Sequence, residues 1–182
     1  MGKIRQLSSR EVYKNYWMRV REDDIERPSG AKGIYGVVEK PDFAVIAAIE
    51  DGYIYLVQQY RYTVGGRYWE MPQGAWEQNP DAPAKELAAG ELKEETGLTA
   101  EHLTHLGYQY LAYGFCTQGY HIFLAQGLTS GDRQLDAEEE DLIAERFALS
   151  EVKRMILAGE IKDATTVNAF GWLQLTGHLG NL

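Results

Sequence analysis

Three glutamates crowd the stretch AAGELKEETGL, and they are the first candidates for chemistry in this sequence. Glu91 and Glu95 would lie one turn apart on a helix, and Glu94 would lie one position off that line. Carboxylates at this spacing can converge on one point, and oxygen-only ligands suit Mg²⁺ or Mn²⁺ better than zinc. The alternative is a solvated acidic helix face, with Lys85 and Lys93 close by.

The same charges occupy a costly place in a helix. Thr96 and Gly97 follow at once as a helix stop, and acidic side chains in a last turn face the negative end of the helix dipole. Glu91 and Glu95 repel each other by a few tenths of a kcal/mol, and Gly90 costs about 1 kcal/mol relative to alanine. A bound cation would offset the repulsion, which favours a functional role for the cluster.

The elements that precede this helix are predicted to be strands. Short runs of aromatic and β-branched residues fill the first eighty positions: VYKNYWMRVRED, GIYGVVEK, FAVIAAIE, YIYLVQQYRY and RYWEMPQG. Asp51-Gly52 is a strong hairpin turn signal between the third and fourth of these runs.

The acidic helix and the elements after it complete the predicted layout. We expect Asp81 to cap the helix, Pro83 to lie in its first turn and Gly97 to end it. HLGYQYLAYGF, YHIFLAQGL and LIAERFAL predict further strands. Two C-terminal helices are predicted, one capped by Ser150 and one starting at Asp163. A mixed sheet with these helices indicates an α+β or three-layer arrangement.

The segment GAWEQNPDAPAKELAAGELKEETGL resembles the Nudix box, Gly-x5-Glu-x7-Arg-Glu-U-x-Glu-Glu-x-Gly-U, where U is a bulky aliphatic residue. Gly74 matches the first glycine, and the second half matches in register at Glu91, Leu92, Glu94, Glu95, Gly97 and Leu98. The resemblance implies an α+β fold of the Nudix type, an α/β/α sandwich with a mixed β-sheet and an N-terminal antiparallel sheet. It also implies an N-terminal β-strand subdomain over 1–42 and a hydrolase domain over 43–182.

The segment departs from the family pattern in two ways. It spans residues 74–98, which makes it two residues longer than the usual box. Gly90 stands where the family has arginine, and Ala82 (or Pro80, if the insertion is placed later) stands where it has the first glutamate. That arginine helps to orient the glutamates in the family. Its loss bears on catalytic efficiency rather than on the metal ligands.

The resemblance implies a reaction as well as a fold. Nudix enzymes cleave a nucleoside diphosphate linked to another group, with water attacking a phosphorus and divalent ions neutralising the charge on the oxygens. Carried over to this sequence, Glu91 and Glu95 would hold Mg²⁺ or Mn²⁺. Glu94 would serve both as a ligand and in catalysis, and the backbone carbonyl of Gln73 would be a further ligand.

The stretch LVQQYRYTVGGRYWEMPQG is similar to the ADP-ribose pyrophosphatase branch of the family. The likeness implies that Arg61 contacts the phosphates or terminal ribose of the substrate, for which its bidentate fork is suited. Glu70 would support the metal site or accept a hydrogen bond from Arg61. An acidic loop, DAEEED, would deliver the glutamate that activates water. The candidates are Glu138, which we favour, Glu139 and Glu140, although any one of them also fits a solvated charge run.

Aromatic residues are candidates for stacking on a base. Tyr113 stands where ADP-ribose hydrolases tend to have a proline, and tyrosine near that spacing is associated with dinucleoside polyphosphate hydrolases. Trp17 and Tyr35, in the N-terminal strands, are the other candidates. Each of the three also fits a place in the core.

The whole chain sets the outer limits. A formal net charge of -9 argues against non-specific binding of nucleic acid or of an anionic membrane. One cysteine, Cys116, excludes an internal disulfide, and no apolar run has the length of a membrane span. We therefore expect a cytoplasmic protein. By resemblance we expect a small nucleoside diphosphate substrate and a homodimer formed through the N-terminal sheet.

Three functions follow in order of preference. The first is a Mg²⁺-dependent hydrolase that converts ADP-ribose or a related nucleoside diphosphate sugar into AMP and a sugar phosphate. The second is a hydrolase of another nucleoside diphosphate derivative, such as a dinucleoside polyphosphate or GDP-mannose. The third is a Nudix-fold sensor that binds a nucleotide without cleaving it, which the missing arginine favours and the retained glutamates oppose.

Overall fold

The computed structural model describes residues 2–135 and 140–180 of the chain. The strands in chain order are β1 Arg5–Lys14, β2 Arg19–Glu26, β3 Lys32–Glu39, β4 Phe43–Glu50, β5 Tyr53–Arg61, β6 Gly66–Glu70, β7 Gln73–Gly74, β8 Leu98–Tyr110, β9 Gly119–Ser130 and β10 Ile143–Ala148. The helices are α1 Ala84–Thr96, α2 Leu149–Leu157 and α3 Ala164–Leu175. None of these helices is long and apolar enough to cross a membrane.

The described strands form two sheets. Strands β1, β2 and β3 make an antiparallel sheet, and the rest make a mixed sheet with the order β10-β5-β4-β9-β8, in which β6 pairs with β5 and β7 with β4. Strands β4 and β9 run parallel, whereas the other pairs in the mixed sheet are antiparallel. The predicted combination of a mixed sheet and an N-terminal antiparallel sheet is confirmed.

Strand β4 shows why the sheet is covered on both faces. Its side chains alternate, as a strand requires, and both sets are buried. One set packs under α1 with Leu87, Leu92 and Phe123, and the other packs under α2 and α3 with Val152, Phe170 and Leu173. The result is the three-layer α/β/α sandwich that the resemblance implies.

The site is positioned by a divergence between β4 and β5. These strands pair only at their hairpin end, through Ile49 with Ile54 and Glu50 with Tyr53. Beyond that point β7 pairs with β4, and the Ile46 N–H donates to the Pro72 carbonyl at 2.9 Å. The segment around β7 therefore enters the gap between β4 and β5, beneath α1.

Several local predictions are confirmed. Asp51 and Gly52 turn the hairpin with positive φ values of 52° and 77°. Gly97 ends α1 with a φ of 74°, and its N–H donates to the Lys93 carbonyl at 2.8 Å. Asp163 caps α3 and accepts from the Thr166 N–H at 2.7 Å.

Two predicted caps are wrong. Helix α1 begins at Ala84 after Pro83, whose carbonyl accepts from Glu86 and Leu87, so Asp81 lies before the helix and does not cap it. Helix α2 begins at Leu149, directly after β10, and the Leu149 N–H donates to the Gly52 carbonyl at 3.0 Å. That sheet-edge bond places Ser150 inside the helix, where its side chain cannot be the cap.

The run VYKNYWMRVRED is two strands rather than one. The break lies at residues 15–18, where the Asn15 side chain accepts from the N–H groups of Trp17 at 3.0 Å and Met18 at 2.9 Å. Asparagine makes this local bond readily, and here it outweighs the alternation of apolar residues.

Candidate active site

A cleft of about 410 Å³ opens beside α1, where β4 and β5 diverge. Its walls come from β4, β5, β7, α1, the segments 75–83 and 111–118, the start of α3 and the N-terminal part of the chain. Five of the predicted site residues line it: Trp17, Arg61, Gln73, Glu91 and Glu94. Residues that the sequence analysis did not select for this site also line it: Lys40, Phe43, Gln59, Trp76, Glu77, Gln118 and Asp163.

The glutamates of α1 are held against β7. Glu95 is fully buried, and one of its carboxylate oxygens accepts from the Gln73 N–H at 3.0 Å. Glu91 is 6% exposed and lies against Gly74, where any Cβ would overlap its carboxylate. A larger residue at position 74 would therefore move the Glu91 carboxylate away from the strand.

The donor set fits a hard divalent cation. Glu91 and Glu94 line the cleft, the buried Glu95 is bonded to the lining residue Gln73, and all offer oxygen atoms. Within residues 2–135 and 140–180, no three histidine, cysteine or carboxylate side chains form a ready-made metal site. To share an ion, the cleft carboxylates would therefore have to turn toward it. The role of Gln73 as a backbone ligand stays a prediction.

Arg61 is fixed by a buried carboxylate. Glu70 is 3% exposed and accepts from Arg61 Nη2, from Arg61 Nε at 3.3 Å and from Gln59 Nε2 at 3.2 Å. Burial raises the pKa of Glu70, while the charge and hydrogen bonds of Arg61 oppose that rise and Asp163 adds to it. Arg61, at the end of β5, is thus oriented from behind while part of its guanidinium still faces the cleft.

Asp163 joins the far helix to the site. The carboxylate that caps α3 also accepts from Gln73 Nε2 at 3.2 Å. Because residues 73 and 163 are far apart in the chain, sequence reasoning found Asp163 only as a helix start. The cap signal located the residue correctly but said nothing about the strand that it reaches.

Two aromatic candidates lie away from the cleft lining. The Tyr35 hydroxyl donates to the Gly114 carbonyl at 2.7 Å, and Tyr113 is 84% exposed. Both positions follow from the loop after β8, which bonds to β3 through Val38 and Phe115 at 2.8 Å. Trp17 is the stacking candidate that does line the cleft.

The predicted water-activating loop is described only at its ends. Glu138 and Glu139 lie outside the described residues, and Glu140 is exposed. On one side of the loop, the Gln134 N–H donates to the Glu94 carbonyl at 3.3 Å. On the other side, Arg67 pairs with Asp141 and donates to its carbonyl at 2.7 Å. Both anchors border elements that build the cleft.

The position of the missing arginine is covered by a tryptophan. A Cβ placed on Gly90 would overlap Cζ2 of Trp76 and lie 3.1 Å from Cη2. Trp76 is carried by the segment 75–83, the part of the box that is longer than usual. The extra length of this segment was visible in the sequence, but the place where it puts an indole ring was not.

Comparisons with known proteins agree with this geometry. The NUDIX domain model matches residues 39–170, and the model of the nucleoside diphosphate sugar hydrolase N-terminal domain matches residues 4–38. A solved structure described as an ADP compounds hydrolase has a TM-score of 0.88 and covers 100% of this chain and 98% of that chain. Its sequence identity is 22%, so this likeness establishes the fold.

Relatives with curated names extend along most of the chain. The ADP-ribose pyrophosphatase of Mycobacterium tuberculosis is 32% identical over 88% of this chain and 78% of that protein. The ADP-ribose pyrophosphatase of Bacillus subtilis is 28% identical over 93% of this chain and 91% of that protein. With the NUDIX model matching most of the chain and the box glutamates gathered beside the cleft, the chain belongs to the Nudix family and is a Nudix pyrophosphohydrolase.

Proposed function

We propose that this protein hydrolyses the pyrophosphate of ADP-ribose or a related nucleoside diphosphate sugar, giving AMP and a sugar phosphate. One observation carries the proposal: a single cleft is lined by both the α1 carboxylates and Arg61, which Glu70 orients. Acidic and basic groups that line one cleft suit a diphosphate bridged by metal. The names of the relatives supply the substrate class.

The carboxylates of α1 would hold the cation. Glu91 and Glu95, assisted by Glu94 and the backbone carbonyl of Gln73, would bind Mg²⁺ or Mn²⁺. When bound, such an ion polarises a phosphoryl oxygen and lowers the pKa of bound water. The protein places these carboxylates beside the cleft, because Glu95 is bonded to β7 and Glu91 lies against Gly74.

Other residues that line the cleft would bind the substrate. The guanidinium of Arg61 is held on one edge by Glu70, which leaves its remaining N–H groups free to donate to a phosphate oxygen. Lys40 adds a second positive charge to the cleft, and Trp17 and Phe43 offer aromatic surface for a base. Tyr35 and Tyr113 are not part of this proposal, because they lie outside the cleft lining.

The acidic loop would provide the group that takes a proton from the attacking water. Glu138 is our first choice, with Glu139 and Glu140 as alternatives. Support comes from the anchored ends of the loop, one on the Glu94 carbonyl of α1 and one on Arg67 of β6. A general base of this kind contributes typically 10²–10⁴-fold. Single glutamine variants of the three would identify the base by the largest loss of kcat.

A substrate panel tests the proposed function. ADP-ribose, nucleotide sugars and dinucleoside polyphosphates are incubated with Mg²⁺, and phosphate is read after a coupled phosphatase that attacks only monoester products. We expect the highest kcat/KM for ADP-ribose or a close analogue, with AMP identified by mass spectrometry in a parallel reaction without the phosphatase. Preference for a dinucleoside polyphosphate would contradict the substrate assignment, and hydrolysis of none would contradict catalysis itself.

We also propose that residues 1–42 form a subdomain that pairs two copies of the chain, with 43–182 as the hydrolase domain. Every residue of β1 is exposed, although the strand and its neighbours carry large apolar side chains: Ile4, Leu7, Val12, Tyr13 and Ile34. Such a surface is typical of an interaction site. Sedimentation equilibrium should give twice the mass of 20.6 kDa, and a monomer at all concentrations would contradict the proposal.

A further inference from the structure

The indole of Trp76 occupies the space that a side chain at position 90 would need. Overlap with Cζ2 means that no residue with a Cβ fits at position 90 unless the ring moves. Helical glycine costs about 1 kcal/mol relative to alanine, so the weak residue has a steric reason. The place where the family has arginine is filled here by this ring.

The helical turn that Trp76 covers at Gly90 lies directly N-terminal to Glu94. Residues 90 and 94 are one helical turn apart, and helical side chains lean toward the N-terminus, over the preceding turn. The side chain of Glu94 therefore extends above the surface that Trp76 covers. Both side chains line the same cleft.

The ring is held on its other side as well. Trp76 packs against the apolar cluster under α1, which includes Leu87 and Leu92. It also lines a smaller hollow of about 120 Å³, together with Asp42, Pro80 and His121. The ring thus forms a partition between this hollow and the cleft.

We propose that Trp76 is a positioning residue for the α1 carboxylates, taking over by contact the role that the family gives to an arginine at position 90. The inference rests on the proposed function. The indole fills the turn below Glu94 and directs that carboxylate into the cleft. Unlike an arginine, it adds no charge next to the metal ligands, so its effect does not depend on salt concentration.

Two conservative variants form a matched pair. Trp76→Phe removes the part of the ring that overhangs Gly90, and Trp172→Phe makes the same change where Trp172 covers Gly107 away from the cleft. The dissociation constant for Mn²⁺ is measured by electron paramagnetic resonance without nucleotide, at low and high salt. We expect Trp76→Phe to weaken Mn²⁺ binding about 10- to 100-fold equally at both, the usual cost of removing a group that orients metal ligands. Trp172→Phe should leave binding unchanged.

Variants at position 90 test the exchange of side chains. Gly90→Arg alone should weaken Mn²⁺ binding, because the arginine must displace the ring. The double variant Trp76→Ala/Gly90→Arg should bind more tightly than either single variant, because the arginine then has room to orient the glutamates. Thermal melting verifies that each variant is folded. Unchanged binding in Trp76→Phe, or purely additive effects in the double variant, would overturn the proposal.

These measurements separate this inference from the proposed function. Mn²⁺ binding needs no substrate, so a protein that hydrolyses nothing in the panel can still show the Trp76 effect. Conversely, active wild-type protein with unchanged Mn²⁺ binding in Trp76→Phe would support the function and reject the positioning role.

Discussion

Two tryptophans lie on glycines on opposite faces of the mixed sheet. Trp172, on α3, covers Gly107 of β8, where a Cβ would lie 2.9 Å from Cζ2. Its indole N–H donates to the Leu106 carbonyl at 3.0 Å, and the ring packs against the core under α2 and α3. Trp76 covers Gly90 of α1 in the same way but comes from a connecting segment and lines the cleft.

The difference between the pairs lies in what carries each ring. Trp172 belongs to a packed helix and is hydrogen-bonded to β8, so it cannot move easily. A side chain added at Gly107 should therefore lower the free energy of unfolding. Trp76 belongs to the connecting segment 75–83, which can shift at a lower cost in stability. A side chain added at Gly90 should therefore displace the indole and, with it, part of the cleft wall. The same steric contact therefore serves stability on one face and the site on the other.

The largest effect should come from Glu95→Gln, which tests whether the carboxylates beside the cleft bind a metal ion. The new amide can still accept from the Gln73 N–H, so the fold should survive the loss of charge. We expect kcat/KM to fall by more than about 100-fold, or about 2.7 kcal/mol, since even groups behind a ligand cost 10–100-fold. Glu86→Gln, an exposed change in the first turn of the same helix, is the control. Full activity in Glu95→Gln would contradict the assignment of Glu95 as a metal ligand. The comparison of Trp76 with Trp172 as a metal-site and a stability residue would then fail as well.

The next largest effect should come from Trp172→Ala, which tests whether Trp172 stabilises the fold without affecting the site. A fully buried aromatic residue costs about 3–5 kcal/mol on truncation, and Trp172 is only half-buried, so we expect about 2–3 kcal/mol. Urea unfolding measures this loss, and Mn²⁺ titration should give the wild-type dissociation constant. If metal binding weakened in parallel with stability, the two tryptophans would not have separate roles.

Local signals explain why much of the frame was predictable. The Asp51-Gly52 turn, the stop at Gly97 and the spacing of Glu91 and Glu95 each depend on residues within a few positions of one another. Short sequence patterns are therefore sufficient to predict these features. The covering of the sheet on both faces could be predicted from continuous apolar runs such as FAVIAAIE.

The parts that escaped prediction depend on distant partners or on competing local bonds. The path of a connecting segment sets the ring of Trp76 over Gly90, and no periodicity encodes that path. Asp163 reaches Gln73 across 90 positions. The break between β1 and β2 was hidden because apolar alternation continues through a turn that Asn15 decides. A cleft assembled from such contacts needs the fold before its residues can be grouped.

A smaller and more discriminating effect is expected from alanine at the two glycines. Overpacking costs about 1–3 kcal/mol where neighbours cannot move, so Gly107→Ala should lose stability in that range with normal Mn²⁺ binding. Gly90→Ala gains about 1 kcal/mol of helix propensity while its ring moves aside, so its stability should stay near wild type. Its Mn²⁺ binding should weaken several-fold. The reverse pattern, with a stability loss at Gly90 alone, would contradict the assignment of the two rings.

The smallest effect concerns His121, which lines the hollow behind Trp76 and reports whether that side contributes to stability at all. Burial lowers the pKa of His121, His105 at 3.1 Å lowers it further, and Asp42 opposes both; the ring of Tyr108 also packs on it. The unfolded chain therefore binds more protons than the folded one below the ordinary value of 6.5, so stability falls as pH drops through that range. In His121→Gln, chemical unfolding across this range should show a flatter pH dependence than in the exposed control His102→Gln. Equal slopes in the two variants would show that titration of His121 does not change the free energy of unfolding. The side of Trp76 that faces the hollow would then contribute nothing to stability, and the role of the ring would lie in the cleft alone.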